Sequence, residues 1–245
     1  MFALYKKELS AFLTSFTGYL TIGVFLLLNG LLLWVFHSSF NILDFGFANM
    51  DGLFMAAPFL YLFLIPAITM RQFAEERRTG TLELLLTKPM KELTVVWAKF
   101  LSSLTLVAIS LLPTLVYYVS VYLLGDPVGN IDGGSVVGSY IGLLLLGASF
   151  VAIGLFASSI TGSQIVAFVV AALFCAFAYL GFESIFNLGL LGNVGLVVKN
   201  LGIMEHYLSI SRGVVDTRDI LYFLSVVVLF LFLTRLVLQS RKWQK

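Results

Sequence analysis

Arg71-Gln-Phe-Ala-Glu75-Glu76-Arg77-Arg78-Thr-Gly80-Thr-Leu-Glu83-Leu-Leu-Leu-Thr-Lys88-Pro89 is the stretch on which the reading of this chain turns. Extended to Lys91, it holds eight of the 28 charged side chains, 15 basic plus 13 acidic. The rest of the 245 residues reads as hydrocarbon: 60% are apolar, 11% are charged, and the mean hydropathy is +1.00. Soluble domains average about 25% charged residues. Ionised groups are costly in lipid, so the charged stretch lies in water and its apolar flanks cross a bilayer. The chain is an integral membrane protein.

Working outward, six apolar runs approach the ~20 residues that a spanning helix needs. They are Phe16 to Phe36, Leu53 to Met70, Phe100 to Leu124, Val136 to Ile160, Ile165 to Phe182 and Ile220 to Leu238. Pro113 should kink the third, since proline breaks the helical hydrogen-bond ladder. Between the last two runs, Ser184 to Val198 is uncharged but short, and Gly189, Gly192 and Gly195 interrupt it. A re-entrant or interfacial pair of short helices fits that length better than a seventh span. The expected fold is all-α: one membrane domain over 1–245, with an N-terminal helix at 1–15, a charged segment at 71–91 and an extracytoplasmic or re-entrant element at 183–219.

Charge placement sets the expected orientation. Lys6, Lys7, Arg71, Arg77, Arg78, Lys88, Lys91, Lys99, Arg235, Arg241, Lys242 and Lys245 are 12 of the 15 basic residues. Eleven of them fall in the two tails or the loop after the second run, and Arg235 lies near the inner end of the sixth run. The loops after runs one and three carry Asp44, Asp51, Asp126 and Asp132 and no lysine or arginine. Basic loops favour the cytoplasmic side, so both termini are expected there. Trp97 and Trp243 near one face, and Tyr117, Tyr118 and Tyr122 near the other, suit the two interfaces. The first apolar run begins at Phe16, is as long as a full span and lacks an A-x-A-like end, so a cleavable signal is not expected.

Before it, Phe2, Tyr5, Leu9, Phe12, Leu13 and Phe16 recur at helical spacing, with Lys6, Lys7, Ser10 and Thr14 on the other side. Such a basic amphipathic helix should lie along the cytoplasmic leaflet. In the fourth run Gly138 and Gly142, Ala148 and Ala152, then Gly154, Ser158 and Gly162 repeat every fourth position. That pattern lets another helix approach closely. A helix of the same chain and a helix of a second copy fit it equally.

Several chemistries lack their residues. No glycine is followed by lysine, so the phosphate-binding G-x-x-x-x-G-K-[ST] loop does not occur. The lone Cys175 lies inside an apolar run, where it reads as a small core hydrophobe. His37 and His206 are far apart and sit at membrane edges, which argues against a metal site. The runs carry almost no ionisable groups: Arg235 sits where its stem can snorkel, and Glu183 sits at an outer end. Ion-driven carriers need carboxylates, histidines or basic groups at mid-depth, so energy should enter another way.

The charged stretch itself has a docking pattern. Its signs are mixed, Gly80 breaks it, and Pro89 ends it before the third run. Leu82, Leu84, Leu85 and Leu86 need a membrane surface or a partner's groove to bury against. The run Phe73-Ala-Glu-Glu-Arg-Arg-Thr-Gly-Thr-Leu-Glu-Leu-Leu-Leu-Thr-Lys-Pro89 resembles the signature after the second span of ABC-2-type permeases. In that family an acidic residue is followed by Gly-Thr-Leu-Glu and leucines closing at a proline. His206-Tyr-Leu-Ser-Ile-Ser-Arg-Gly213-Val-Val-Asp216 resembles the stretch before their last span. Within the family the chain looks most similar to the gliding-motility-associated permease subunit, the GldF type.

The resemblance implies a permease subunit in a bacterial inner membrane, with no catalysis and no cofactor of its own. ATP and Mg would be bound by a separate ABC ATPase, present in two copies. The second permease would be another copy of this chain or a paralogous membrane protein with a large extracytoplasmic domain; no nucleic acid is implied. Glu75, Glu76, Arg77, Arg78, Gly80, Thr81, Leu82, Glu83 and Leu85 would couple the permease to the ATPase. Gly80 would supply the bend, the charges the specificity and the leucines the buried contact. Reversing Glu76 and Glu83 together would then uncouple the ATPase and leave the spans inserted. The work done would be export or force at the cell surface, gliding included. The alternative is a non-transporting scaffold that anchors an ABC ATPase.

Overall fold

In the computed structural model, residues 1–81, 91–189, 195–213 and 215–240 are described. Every long apolar run is a helix, and no strand occurs among the described residues. Six helical segments among the described residues are long and apolar enough to cross a membrane: Phe16–Trp34, Asp51–Arg78, Glu92–Leu124, Gly133–Ile160, Gln164–Asn187 and Thr217–Ser240. We number these spans one to six; helix α1, Phe2–Leu13, precedes them, span one is helix α2, Phe16–Trp34, and span two runs from α3, Asp51–Thr69, into α4, Arg71–Arg78. Local signals set several ends. Ser15 caps span one by accepting from the Gly18 N–H at 3.1 Å, and Asp132 caps span four by accepting from Gly134 and Ser135.

Span four is the axis of the bundle. Of its most apolar stretch 78% is buried, against 67% for span two and 22% for spans one, five and six. The small residues explain why it can be surrounded so closely. A Cβ on Gly138 would lie 3.0 Å from the Gly213 backbone, and one on Gly142 3.1 Å from Ile210. On Gly147 it would meet Val107 at 3.0 Å, and on Gly154 Thr69 Oγ1 at 2.2 Å. Each of these close approaches is therefore made from within the chain, by its helices and by the turn at Gly213. The every-fourth pattern serves packing inside the protomer.

Spans two and three are longer than the hydrocarbon they cross. Span three begins at Glu92, two turns before the expected Phe100, and its 33 residues cover about 50 Å at ~1.5 Å each. A bilayer core is about 30 Å thick. The excess lies at the basic end, because Lys99 is the last ionisable side chain in this helix before the tyrosines of its far half. Leu112–Thr114 is a 3-10 turn at Pro113, which is the expected kink. Span two (28 residues, about 42 Å) likewise extends past the core through α4, Arg71–Arg78.

The N-terminal helix α1, Phe2–Leu13, finds protein for its apolar face. Leu4 and Phe12 are buried, and the Tyr5 hydroxyl lies 3.1 Å from Thr105 Oγ1 of span three. Lys6, Lys7 and Ser10 point to solvent.

At the opposite end, span five runs on to Asn187, past the expected Phe182; among the described residues that follow are two short helices, Gly195–Lys199 and Ile203–Ile210, the second lying beyond the expected stretch 184–198. The second tucks into the bundle through Tyr207, which is 1% exposed. Pro58 in span two has no N–H for the Phe54 carbonyl, which would be left unpaired in a dry interior. The Tyr207 hydroxyl donates to it at 2.6 Å. Burial pushes that phenol well above the ordinary tyrosine value, so it keeps the proton it donates. Tyr207→Phe should orphan the carbonyl and cost about 1–3 kcal/mol, seen as a lower thermal midpoint in detergent. An unchanged midpoint would mean that water replaces the hydroxyl.

Candidate functional site

The charged residues gather at the basic end, where α1, α4, the first turns of span three and the last turn of span four meet. The helix of span two is interrupted at Met70, which keeps helical dihedrals, and continues as α4, whose inner face is Gln72, Phe73 and Ala74, all buried. A hydroxyl from span four clamps this junction. Ser158 Oγ accepts from the Phe73 and Ala74 N–H groups, both at 3.1 Å, and donates to the Met70 carbonyl at 3.0 Å. These are backbone groups at a helix start that would otherwise lack partners. Two arginines fasten the flanks. Arg71 Nη1 donates to Thr17 Oγ1 of span one at 2.7 Å, and Arg77 Nη1 donates to the Ile160 carbonyl of span four.

The centre of the site is Lys99. Its side chain is fully buried, and its ammonium lies 3.0 Å from Glu76 and 3.3 Å from Glu8. It also donates to the Gln72 carbonyl at 2.6 Å and sits 5.1 Å from the centre of the Phe73 ring. Lys7 completes the cluster at 3.6 Å from Glu8 and 3.9 Å from Glu76. Two cations face two carboxylates, so the cluster is neutral. Removing ions from water costs several kcal/mol each, which only close pairing and hydrogen bonding repay. One lysine on span three thus satisfies a carboxylate of α1 together with a carboxylate, a carbonyl and a ring of α4.

The residues expected to couple divide into two groups. Glu76 turns inward to Lys99, with only 14% of its side chain exposed, and Arg77 reaches back to span four. Glu75 is half-buried at the rim of a cavity of about 430 Å³ between α1 and α4, lined also by Lys7, Glu8, Arg71 and Thr79. Arg78, Gly80 and Thr81 face solvent. Gly80 has φ +71, a left-handed conformation that costs other residues about 1–2 kcal/mol, and it ends α4 as the expected bend. Leu82, Glu83 and Leu85, with Leu84 and Leu86, lie outside the described residues, as do Gly192, Trp243 and the last basic residues Arg241, Lys242 and Lys245.

Sequence reasoning placed Lys99 only among the basic residues of a loop and Ser158 only among the small residues of the fourth run, and passed over Glu8. Lys99 had a signal: Val95, Val96, Phe100, Ser103, Leu106, Val107 and Ser110 repeat at helical spacing, and Lys99 falls on that buried face. Its distant partners had none.

A second feature lies within the spans. Spans one, two and five border an apolar groove of about 460 Å³, lined by Leu20, Val24, Phe25, Phe63, Leu64 and Phe168. The histidines stand apart from both features. His37 lies 3.2 Å from Asp44, and His206 lies 2.7 Å from Asp219. No group of three potential metal ligands occurs among the described residues.

Compared with known families, residues 35–243 match the family model described as "ABC-2 family transporter protein". That stretch takes in spans two to six, α4 and Lys99, and begins after α1. No curated protein matches the chain.

Proposed function

Since the chain belongs to the ABC-2 family of transporter proteins, we propose that it is the permease subunit through which a separate ABC ATPase drives export or mechanical work. The observation that carries this reading is α4. It is a charged helix that extends span two, clamped by Ser158, with Arg78 to Thr81 turned outward at its tip. The basic end faces the cytoplasm on this reading, as the lysines and arginines favour, and the membrane is the bacterial inner membrane. The ATPase docks at the tip of α4 and on the leucine-rich segment that follows. Nucleotide-driven closure of the ATPase pushes α4, and span two carries the push into the membrane. A coupling of this kind requires contacts that differ between the two ATPase states.

The groove between spans one, two and five supports the other half of the reading. It is apolar and free of fixed charge. A second permease subunit across it would complete a path for an apolar or amphiphilic molecule. The runs Phe73 to Pro89 and His206 to Asp216 support placement beside the gliding-motility-associated permeases. In that case the second subunit carries a large extracytoplasmic domain.

The test is co-purification with the ABC ATPase of the same system and comparison of ATP turnover with and without this chain. A stable complex with altered turnover is expected, and Arg78→Glu should weaken it. No complex and no change in turnover would overturn the reading. Efflux from reconstituted vesicles then separates export from force transmission.

A further inference from the structure

We infer that Lys99 is a positioning residue for energy coupling: it locks α1, α4 and the base of span three into one body, making the N-terminal helix part of the lever. This rests on the reading of α4 as the element the ATPase pushes.

The argument starts from what the residue costs. A lysine with no exposed side-chain surface is a poor way to fill space, since an apolar residue of similar volume packs there without desolvating an ion. What the ion adds is dependence on geometry. Its partners come from two separate elements, Glu8 from α1 and Glu76 and the Gln72 carbonyl from α4, while the lysine belongs to span three. Sliding either helix past span three opens a charge pair in dry surroundings. Apolar contacts alone would let the helices slip by exchanging one methyl for another. The ion cluster penalises that slip.

The neighbouring contacts extend the same body. Tyr5 on Thr105 and the burial of Leu4 and Phe12 hold α1 along span three on one side of the cluster. Arg71 on Thr17 holds the start of α4 to span one on the other. A push at Arg78 to Thr81 therefore reaches span three and α1 together with span two, instead of being lost as a hinge at Met70. Through Ser15 and the start of span one, α1 passes the movement to the groove.

The experiment uses the full chain in complex with its ABC ATPase and four variants: Lys99→Met, Lys99→Arg, Glu8→Gln and the triple Glu8→Gln, Glu76→Gln, Lys99→Met. The triple replaces the three buried members of the cluster by neutral groups of similar size and leaves only the exposed Lys7 charged, so it keeps the test alive if Lys99→Met alone fails to fold. Glu8→Gln loosens only the α1 side. The expected result is that the triple and Glu8→Gln bind the ATPase as the wild type does, while ATP turnover falls back towards that of the ATPase alone. Lys99→Arg, which keeps charge and donors, should retain coupling. A purely structural role would lower the thermal midpoint and leave the coupled turnover of surviving complex unchanged. Wild-type coupling in the folded triple would overturn the inference. Failure of the wild-type chain itself to bind any ABC ATPase would instead overturn the reading of α4.

Discussion

Glu76→Lys is expected to remove most of the folded protein. The substituted ammonium would stand where a carboxylate now meets Lys99 at 3.0 Å and Lys7 at 3.9 Å. Three cations would then share the single carboxylate of Glu8, with Lys99 shut off from water. Breaking a buried pair from one side typically costs about 3–5 kcal/mol, and reversing the charge adds repulsion to the loss. A folded protein holds only about 5–15 kcal/mol in total. The yield of monodisperse protein in detergent should collapse, and whatever remains should melt early. Arg78→Glu is the control: on the same helix but solvent-facing, it should change stability by no more than about 0.5 kcal/mol. If Glu76→Lys matches that control in yield and midpoint, the carboxylate does not point at Lys99.

This expectation differs from the one the sequence suggests, and the difference shows where sequence reading stops. In the sequence, Glu76 is one of several charges in a hydrophilic stretch, and reversing it with Glu83 reads as a surface change that leaves the spans inserted. Which of those charges turn inward depends on partners at residues 8 and 99. Nothing in the local pattern names them. The same dependence explains the start of span three. Hydropathy places a lysine before the helix, so the run appears to begin at Phe100. Once Glu8 and Glu76 neutralise Lys99, the helix can start at Glu92 and carry the lysine on its buried face.

Other features were legible because their causes are local. Apolar length alone marks the six spans, Pro113 stands in its own 3-10 turn, and Gly80 ends α4 in a left-handed conformation that glycine adopts most readily. The small residues of span four are an intermediate case. Their spacing announces a close neighbour but carries no information on which helix that is, since a glycine presents the same flat surface to any approach.

The largest effect at the opposite end should come from Gly213→Val. Gly213 has φ +90, and a Cβ there would lie 2.6 Å from Ser135 Cα, a backbone atom that cannot swing aside. The left-handed conformation costs a branched residue at least about 1–2 kcal/mol, and overpacking against span four adds about 1–3 kcal/mol. The chain can relieve both by lifting away from span four. That movement breaks the bond from Ser139 Oγ to the Ser211 carbonyl, now 2.9 Å, and draws Tyr207 off the Phe54 carbonyl. The thermal midpoint should fall well below that of Tyr207→Phe. The double variant supplies the sharper test. If lifting the element already removes the Tyr207 hydroxyl from span two, adding Tyr207→Phe should cost much less than it does alone, because neighbouring contacts that fail together are not additive. Full additivity would mean that Gly213 and Tyr207 hold the element independently.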